Sequence, residues 1–220
     1  MDRTRFEMLH EHFLYPELAL ALLPHAFDVR DGAHDEAHLL PVWRNVLKIA
    51  NVEGGDTEIL VAATILHDSV WVDKASTERS KASRLAADKA GELLIALGWP
   101  DDRTDRVRHA IEAHSFSAAI PPISLEGKIL QDADRLDAIG WIGVARCFYV
   151  AGLRKTALYD IEDPAATRRQ PNDISYALDH FRTKLLGLSQ DFCTPTGRRM
   201  AAQRSATLRK YYEGFLSEVG

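Results

Sequence analysis

The sequence predicts an all-α fold, and three observations predict it. Ala and Leu recur at helical spacing in window after window. Strand-like alternation of β-branched residues is missing. Apolar residues make up 46% and charged residues 27% of 220 residues, the composition of an ordinary globular chain. That length is too great for a disulfide-stapled miniprotein and small for two independent enzyme domains. No shift in composition marks a boundary, so the expectation is one helical domain over 1–220. Its core would span about 30–150, with closing helices from about 174 to 216 packed on it.

The elements follow in order. The stretch from about Arg3 to Val29 reads as one or two helices around Pro16 and Pro24. A loop at 30–35 feeds a helix that Asp35 could cap. Pro41 requires that helix to start near His38 or to bend there. The turn Gly54-Gly55-Asp56 precedes a buried helix from Thr57 to about Val70. A helix from about Lys81 to Leu97 ends at Gly98, with Pro100 beyond it. Asp102 to about His114 is the next, and Leu125 to about Gly152 reads as one long buried helix. In that helix Gly140 and Gly143 would permit close approach of a neighbour, while Trp141, Ile142, Val144 and Phe148 pack inside the bundle. An irregular polar loop runs from Asp160 to Asp173. Two helices close the chain, from about Ile174 to Leu188 and from Gly197 to Leu216.

Several function classes drop out. No apolar run approaches the roughly 20 residues of a membrane span. The charged start MDRTRFEMLHEHF lacks the apolar segment of a secretory signal, and the two cysteines imply neither a disulfide framework nor a thiolate metal site. A cytoplasmic location is the expectation. The net charge of −5, with basic residues scattered, argues against an extended nucleic-acid surface but allows a small basic pocket. The sequence also allows a homo-oligomer.

The residues that could do chemistry fall into four groups. His67 and Asp68 end the apolar run Ile59 to Leu66, where an ionised carboxylate is costly without a partner. A metal cation removes that cost, and a buried His–Asp hydrogen bond is the competing reading. Asp132, Asp134 and Asp137 interrupt an apolar helix. Residues two apart point about 200° apart, so Asp132 and Asp134 cannot easily share an ion, whereas Asp134 and Asp137 share a face. His38 lies on the stripe Leu39, Val42, Val46 and Ile49 and points roughly inward, while His34 sits in the preceding loop. His109 and His114, five apart, are poorly placed to chelate one ion together.

Taken together, His38, His67-Asp68 and the aspartate of Ala133-Asp134-Arg135-Leu136 resemble the HD-domain superfamily of metal-dependent phosphohydrolases, whose signature is H…HD…D on a helical bundle. The segments ATILHDSVWVDK, IEAHSFSA and KILQDADRLDAIGWIGVARCFY resemble a bacterial branch of small HD hydrolases. The likeness continues through YALDHFRTKLLGL and TPTGRRMAAQR, so it covers about 30 to 215. The resemblance implies metal ligands at His38, His67, Asp68 and Asp134. Asp134 is preferred to Asp132 because the superfamily's last aspartate stands in an A-D-x-L context. Pro41 departs from relatives that carry a basic residue there, and Ser69 after Asp68 departs from the acidic pair of di-iron HD oxygenases.

Two imidazoles and two carboxylates suit Mn²⁺, Mg²⁺, Fe²⁺, Co²⁺ or Zn²⁺. The implied activity is cleavage of a phosphate ester or phosphoanhydride of a small metabolite by metal-activated water, with nucleotides the leading class. Lys74 and Arg135 are candidate clamps on the phosphate, and Asp68 is itself part of the catalytic set. His114 or Asp137 could shuttle a proton. Against these stand plainer roles: Lys74 solvated, Arg135 in an ion pair, His114 at a helix end, Asp137 orienting a histidine. Trp71, Phe116, Trp141 and Tyr149 are candidates to stack on a base. The alternatives are an HD-fold di-iron oxygenase, which would need further ligands such as His109 and His114, or a metal-stabilised binding domain without catalysis.

Overall fold

The computed structural model describes residues 6, 8–28, 36–72, 81–115 and 118–220. The all-α expectation holds: among the described residues the only β contact is an isolated bridge between Ala157 and Tyr176. The chain forms two compact units, Met1–Asp134 and Arg135–Gly220.

In the first unit, α1 (Pro16–Leu22) opens on a proline, whose missing N–H has no intrahelical partner to lose there. It runs into a 3₁₀ turn, Leu23–His25. Helix α2 (Glu36–Glu53) buries His38, Leu39, Val42, Val46 and Ile49, the stripe read from the sequence, together with Trp43. Helix α2 begins at Glu36, near His38 as expected, and carries Pro41 inside it. The expected cap Asp35 falls outside the described residues. Helix α3 (Thr57–Leu66) is buried along every residue from Ile59 to Leu66. Its N-terminus is capped by Asp56, whose Oδ1 accepts from the amides of Glu58 (3.1 Å) and Ile59 (3.2 Å).

Helix α4 (Ala82–Ala96) ends in a Schellman turn. Gly98 takes φ +79°, the Trp99 amide donates to Leu94 and the Gly98 amide to Ile95. Helix α5 (Asp101–His114) packs on α3 and α4. Ion pairs from Arg103 to Asp56 and Glu58, and from Arg106 to Glu126, fasten it to the start of α3 and to α6 (Leu125–Asp137).

The expected long helix from Leu125 to Gly152 is broken. Helix α6 ends at Asp137, and α7 (Gly140–Leu153) begins after Ala138 and Ile139. The two glycines make this break, and Gly140 also permits the expected close approach, since a Cβ there would lie 3.2 Å from Arg204 Cβ in 195–219. Gly140 sits at φ +77°, and a Cβ on Gly143 would lie 2.3 Å from the Ala138 carbonyl oxygen. Trp141 and Ile142 are exposed, at 66% and 38%, contrary to their expected packing. Phe148 does pack, in an aromatic cluster with Phe181, Tyr211 and Phe215.

The expected helix from Ile174 to Leu188 is a series of turns with one π-helical stretch, Phe181–Leu185. The preceding segment is held by side chains instead. Asp163 accepts from the amides of Thr167 (2.9 Å) and Arg168 (2.7 Å), and Arg169 pairs with Asp160 and Asp179 and lies over the Tyr176 ring. Helix α8 (Pro195–Val219) starts at a Thr194 cap.

Candidate metal centre

Three helices of the first unit bring their histidines and carboxylates to one place. His38 stands in the first turns of α2, His67 and Asp68 form the turn just after α3, and Asp134 lies near the end of α6. Asn45 of α2 ties α6 in position, donating to the Ala133 carbonyl at 3.0 Å one residue before Asp134.

The imidazole atoms that meet are Nε2 of His38 and Nε2 of His67, 3.3 Å apart. Nδ1–H of His67 donates to the Thr64 carbonyl at 2.7 Å, which leaves Nε2 as the lone-pair atom of the neutral ring. Around His38 Nε2 also lie Asp134 Oδ1 at 3.3 Å and Asp68 Oδ2 at 3.5 Å, and Asp68 Oδ2 is 3.6 Å from His67 Nε2. An octahedral ion with bonds of about 2.1 Å spaces adjacent donors roughly 3.0 Å apart and opposite ones roughly 4.2 Å. The observed separations fall within that span. The donor set therefore fits a divalent cation of the N/O-preferring kind.

His114, the last residue of α5, closes the other side. Its Nε2 is 3.7 Å from Asp68 Oδ1, its ring meets the His67 ring edge-on at 5.0 Å, and its Nδ1–H donates to the Ile111 carbonyl at 2.5 Å. Two trios of donors result: His38, His67 and Asp134, and His67, Asp68 and His114.

Charge and burial shape the titration of these groups. Burial pushes the His67 imidazole below its ordinary value, with Asp68 opposing. Burial would raise the Asp68 carboxyl, but the imidazoles of His67, His114 and His38 outweigh it and hold it well below the carboxylate range. Asp134 is lowered against the same burial, chiefly by its hydrogen bond to His38. His114 is held above its ordinary value, because Asp68 and Asp134 outweigh the burial that would lower it.

The other sequence candidates fall elsewhere. Asp132 is fully buried, on a different face of α6 from Asp134. Arg135 and Asp137 belong to the second unit, where Arg135 donates to the Asp191 carbonyl and Asp137 pairs with Arg146. His109 Nε2 accepts from the Ile123 amide at 3.1 Å, outside both trios. Lys74 and Phe116 lie outside the described residues. The sequence reading did not find the Thr64 and Ile111 carbonyls that orient His67 and His114. Both stand three residues before their histidine, a spacing that a helix makes available and that could have pointed to them.

Comparison with known proteins bears on this geometry. Residues 36–139 match the HD domain family model. YpgQ of Bacillus subtilis, a protein described as uncharacterized, is 36% identical over 177 residues, covering 79% of this chain and 78% of its own. A crystal structure of an HD-superfamily hydrolase from Bacillus thuringiensis superposes with a TM-score of 0.69 at 28% identity, covering 92% of this chain and 96% of that one. The crystal structure of B. subtilis YpgQ in complex with ADP gives a TM-score of 0.69 at 29% identity, with the same coverage of 92% and 96%.

Proposed function

The chain belongs to the HD-domain superfamily, and from that premise we propose that it is a divalent-metal-dependent phosphohydrolase acting on a nucleotide. One observation carries the reading: His38, His67, Asp68 and Asp134 turn donor atoms toward a common centre at the separations an ion requires. The ADP complex of the similar B. subtilis protein supports a nucleotide as the ligand class.

A bound cation would polarise a phosphoryl oxygen and lower the pKa of a neighbouring water. The chain's own residues supply the rest. The Thr64 carbonyl fixes the His67 tautomer, so that ring presents a lone pair and no proton. Asp68 and Asp134 stay ionised into acid, so the negative half of the site persists across the physiological range. His114 carries its ring on the Asp68 side of the site and holds a proton more firmly than an ordinary histidine. It is placed to give that proton to the leaving oxygen of a cleaved phosphate. Lys74, six residues beyond Asp68, is assigned as phosphate clamp on its place in the sequence.

The test is a hydrolysis screen over nucleoside mono-, di- and triphosphates and phosphodiesters, with Mn²⁺, Mg²⁺ or Co²⁺ added. Phosphate and pyrophosphate release would be measured for the wild type and Asp68→Ala. Metal-dependent release that disappears in the variant is expected. Release that survives both chelation and the substitution would overturn the reading. Purified protein that carries iron and consumes oxygen would favour the oxygenase alternative.

A further inference from the structure

On the reading above, Asp68 sets Oδ2 beside His38 and His67 and Oδ1 beside His114, yet it lies beyond the helix that precedes it. Helix α3 stops at Leu66, and residues 69–72 carry no regular structure. A cation from α4 helps to hold this turn. Lys89 Nζ donates to the Ser69 carbonyl at 2.7 Å, and also to the His25 carbonyl at 3.0 Å. Ser69 directly follows Asp68 and is fully buried, and its amide donates back to Leu66 at 3.1 Å. The ammonium thus brackets two distant stretches of backbone, the end of the 3₁₀ turn after α1 and the residue next to the metal-facing carboxylate.

We propose that Lys89 is a positioning residue for the metal centre, acting through the Ser69 carbonyl to hold the Asp68 carboxylate in ligating geometry. The inference rests on the metal reading of the site. Lys89 donates to backbone oxygens rather than to the donor cluster, so its influence must pass through the turn. A charge-assisted bond to a buried carbonyl is among the stronger ones a backbone can receive. Without it, that carbonyl must find another donor or turn toward water, and the turn carrying Asp68 rotates with it. A metal tolerates such displacement poorly, because its donors must stay within tenths of an ångström. Methionine fills the volume of the lysine stem but donates nothing, and arginine still donates.

The experiment is calorimetric titration of the full chain with Mn²⁺ alone, for wild type, Lys89→Met and Lys89→Arg, with the Tm of each metal-free protein measured alongside. Lys89→Met should weaken Mn²⁺ binding about 10–100-fold, the usual effect of removing support behind a ligand, and Lys89→Arg should recover most of it. Hydrolysis by Lys89→Met should then need more Mn²⁺ but approach the wild-type kcat once Mn²⁺ saturates. A Lys89→Met protein that binds Mn²⁺ as tightly as wild type, whatever its Tm, overturns the inference and leaves the metal reading standing. If Lys89→Met does not fold, Lys89→Leu, which also donates nothing, is read by the same criterion. A wild type that takes up no Mn²⁺ overturns the metal reading, and this inference falls with it.

Discussion

In the unit Arg135–Gly220, charge is answered locally. Asp137 meets Arg146, Asp179 meets Arg169, and Asp163 is wrapped by the amides of Thr167 and Arg168. In the unit Met1–Asp134, His38 and His67 point acceptor-capable Nε2 atoms at each other, and two carboxylates crowd beside them. The first pattern is what a loop needs in order to stand without a helix. The second gathers three imidazoles and two carboxylates from separate helices around one point, a concentration of donor atoms that suits a cation. Counting charged residues would not separate the two regions. The direction of donors and acceptors does.

The strongest way to break this contrast is to remove its centre. Asp68→Ala should abolish metal-dependent hydrolysis, a loss of about a thousandfold or more, since several kcal/mol of charge stabilisation depend on the site. Product release measured at saturating metal checks it. If Asp68→Ala were as active as wild type, the convergence in the first unit would be a packing arrangement like those in the second.

A second measurement sharpens the contrast thermodynamically. Mn²⁺ at about 100 times its Kd stabilises a folded protein by roughly 2.7 kcal/mol, so the Tm should rise by roughly 5–10 °C for a chain of this size. Asp134→Asn should erase the rise. Asp132→Asn should lower the starting Tm, because Asp132 is fully buried, but should keep the rise. The reverse result would transfer the ligand role to Asp132.

Much of this site could be read before any coordinates, and the reason is physical. His67 and Asp68 interrupt a run of apolar residues that has every cause to be buried, so their polarity demanded an explanation. His38 lay on an apolar stripe whose period fixed its direction. Residues two apart do not share a helix face, so Asp132 and Asp134 could not both serve, and the A-D-x-L context of the family resemblance chose Asp134. The failures have equally plain causes. Gly140 in an apolar helical pattern reads as a packing glycine, which its approach to Arg204 bears out, but only its positive φ shows that it also breaks the helix. Trp141 and Ile142 were expected inside because they are apolar, yet apolarity does not compel burial. The stretch from Ile174 to Leu188 has helical composition, but its Asp179 is taken by Arg169 and its His180 by the preceding Asp173, in contacts that override local preference.

The second unit offers a smaller and opposite effect. Asp179→Ala removes the buried partner of Arg169 and should lower the Tm by several degrees, while Mn²⁺ affinity and kcat stay near wild type. Differential scanning fluorimetry with and without Mn²⁺ checks both halves at once. A variant that lost metal binding as well as stability would show that the charges of this unit are not purely local.

The smallest expected effect lies in the pH dependence of the metal-free protein, where the two regions titrate in different windows. Asp163 is drawn down to about 2, first by the Arg168 amide, so it stabilises the fold above the ordinary carboxylate pKa and loses that contribution as the pH falls toward 2. His114 is raised, so its contribution is complete below the ordinary histidine pKa and is lost as the pH climbs through its elevated value. The Tm difference between wild type and Asp163→Asn should therefore shrink only in acid, and that between wild type and His114→Gln only toward alkaline pH. Melting curves from about pH 3 to pH 9 would show it. Should both differences fade in the same window, the two regions would not be answering charge by different means, because a wrapped carboxylate and a histidine beside two carboxylates must release their stabilisation at opposite ends of the scale.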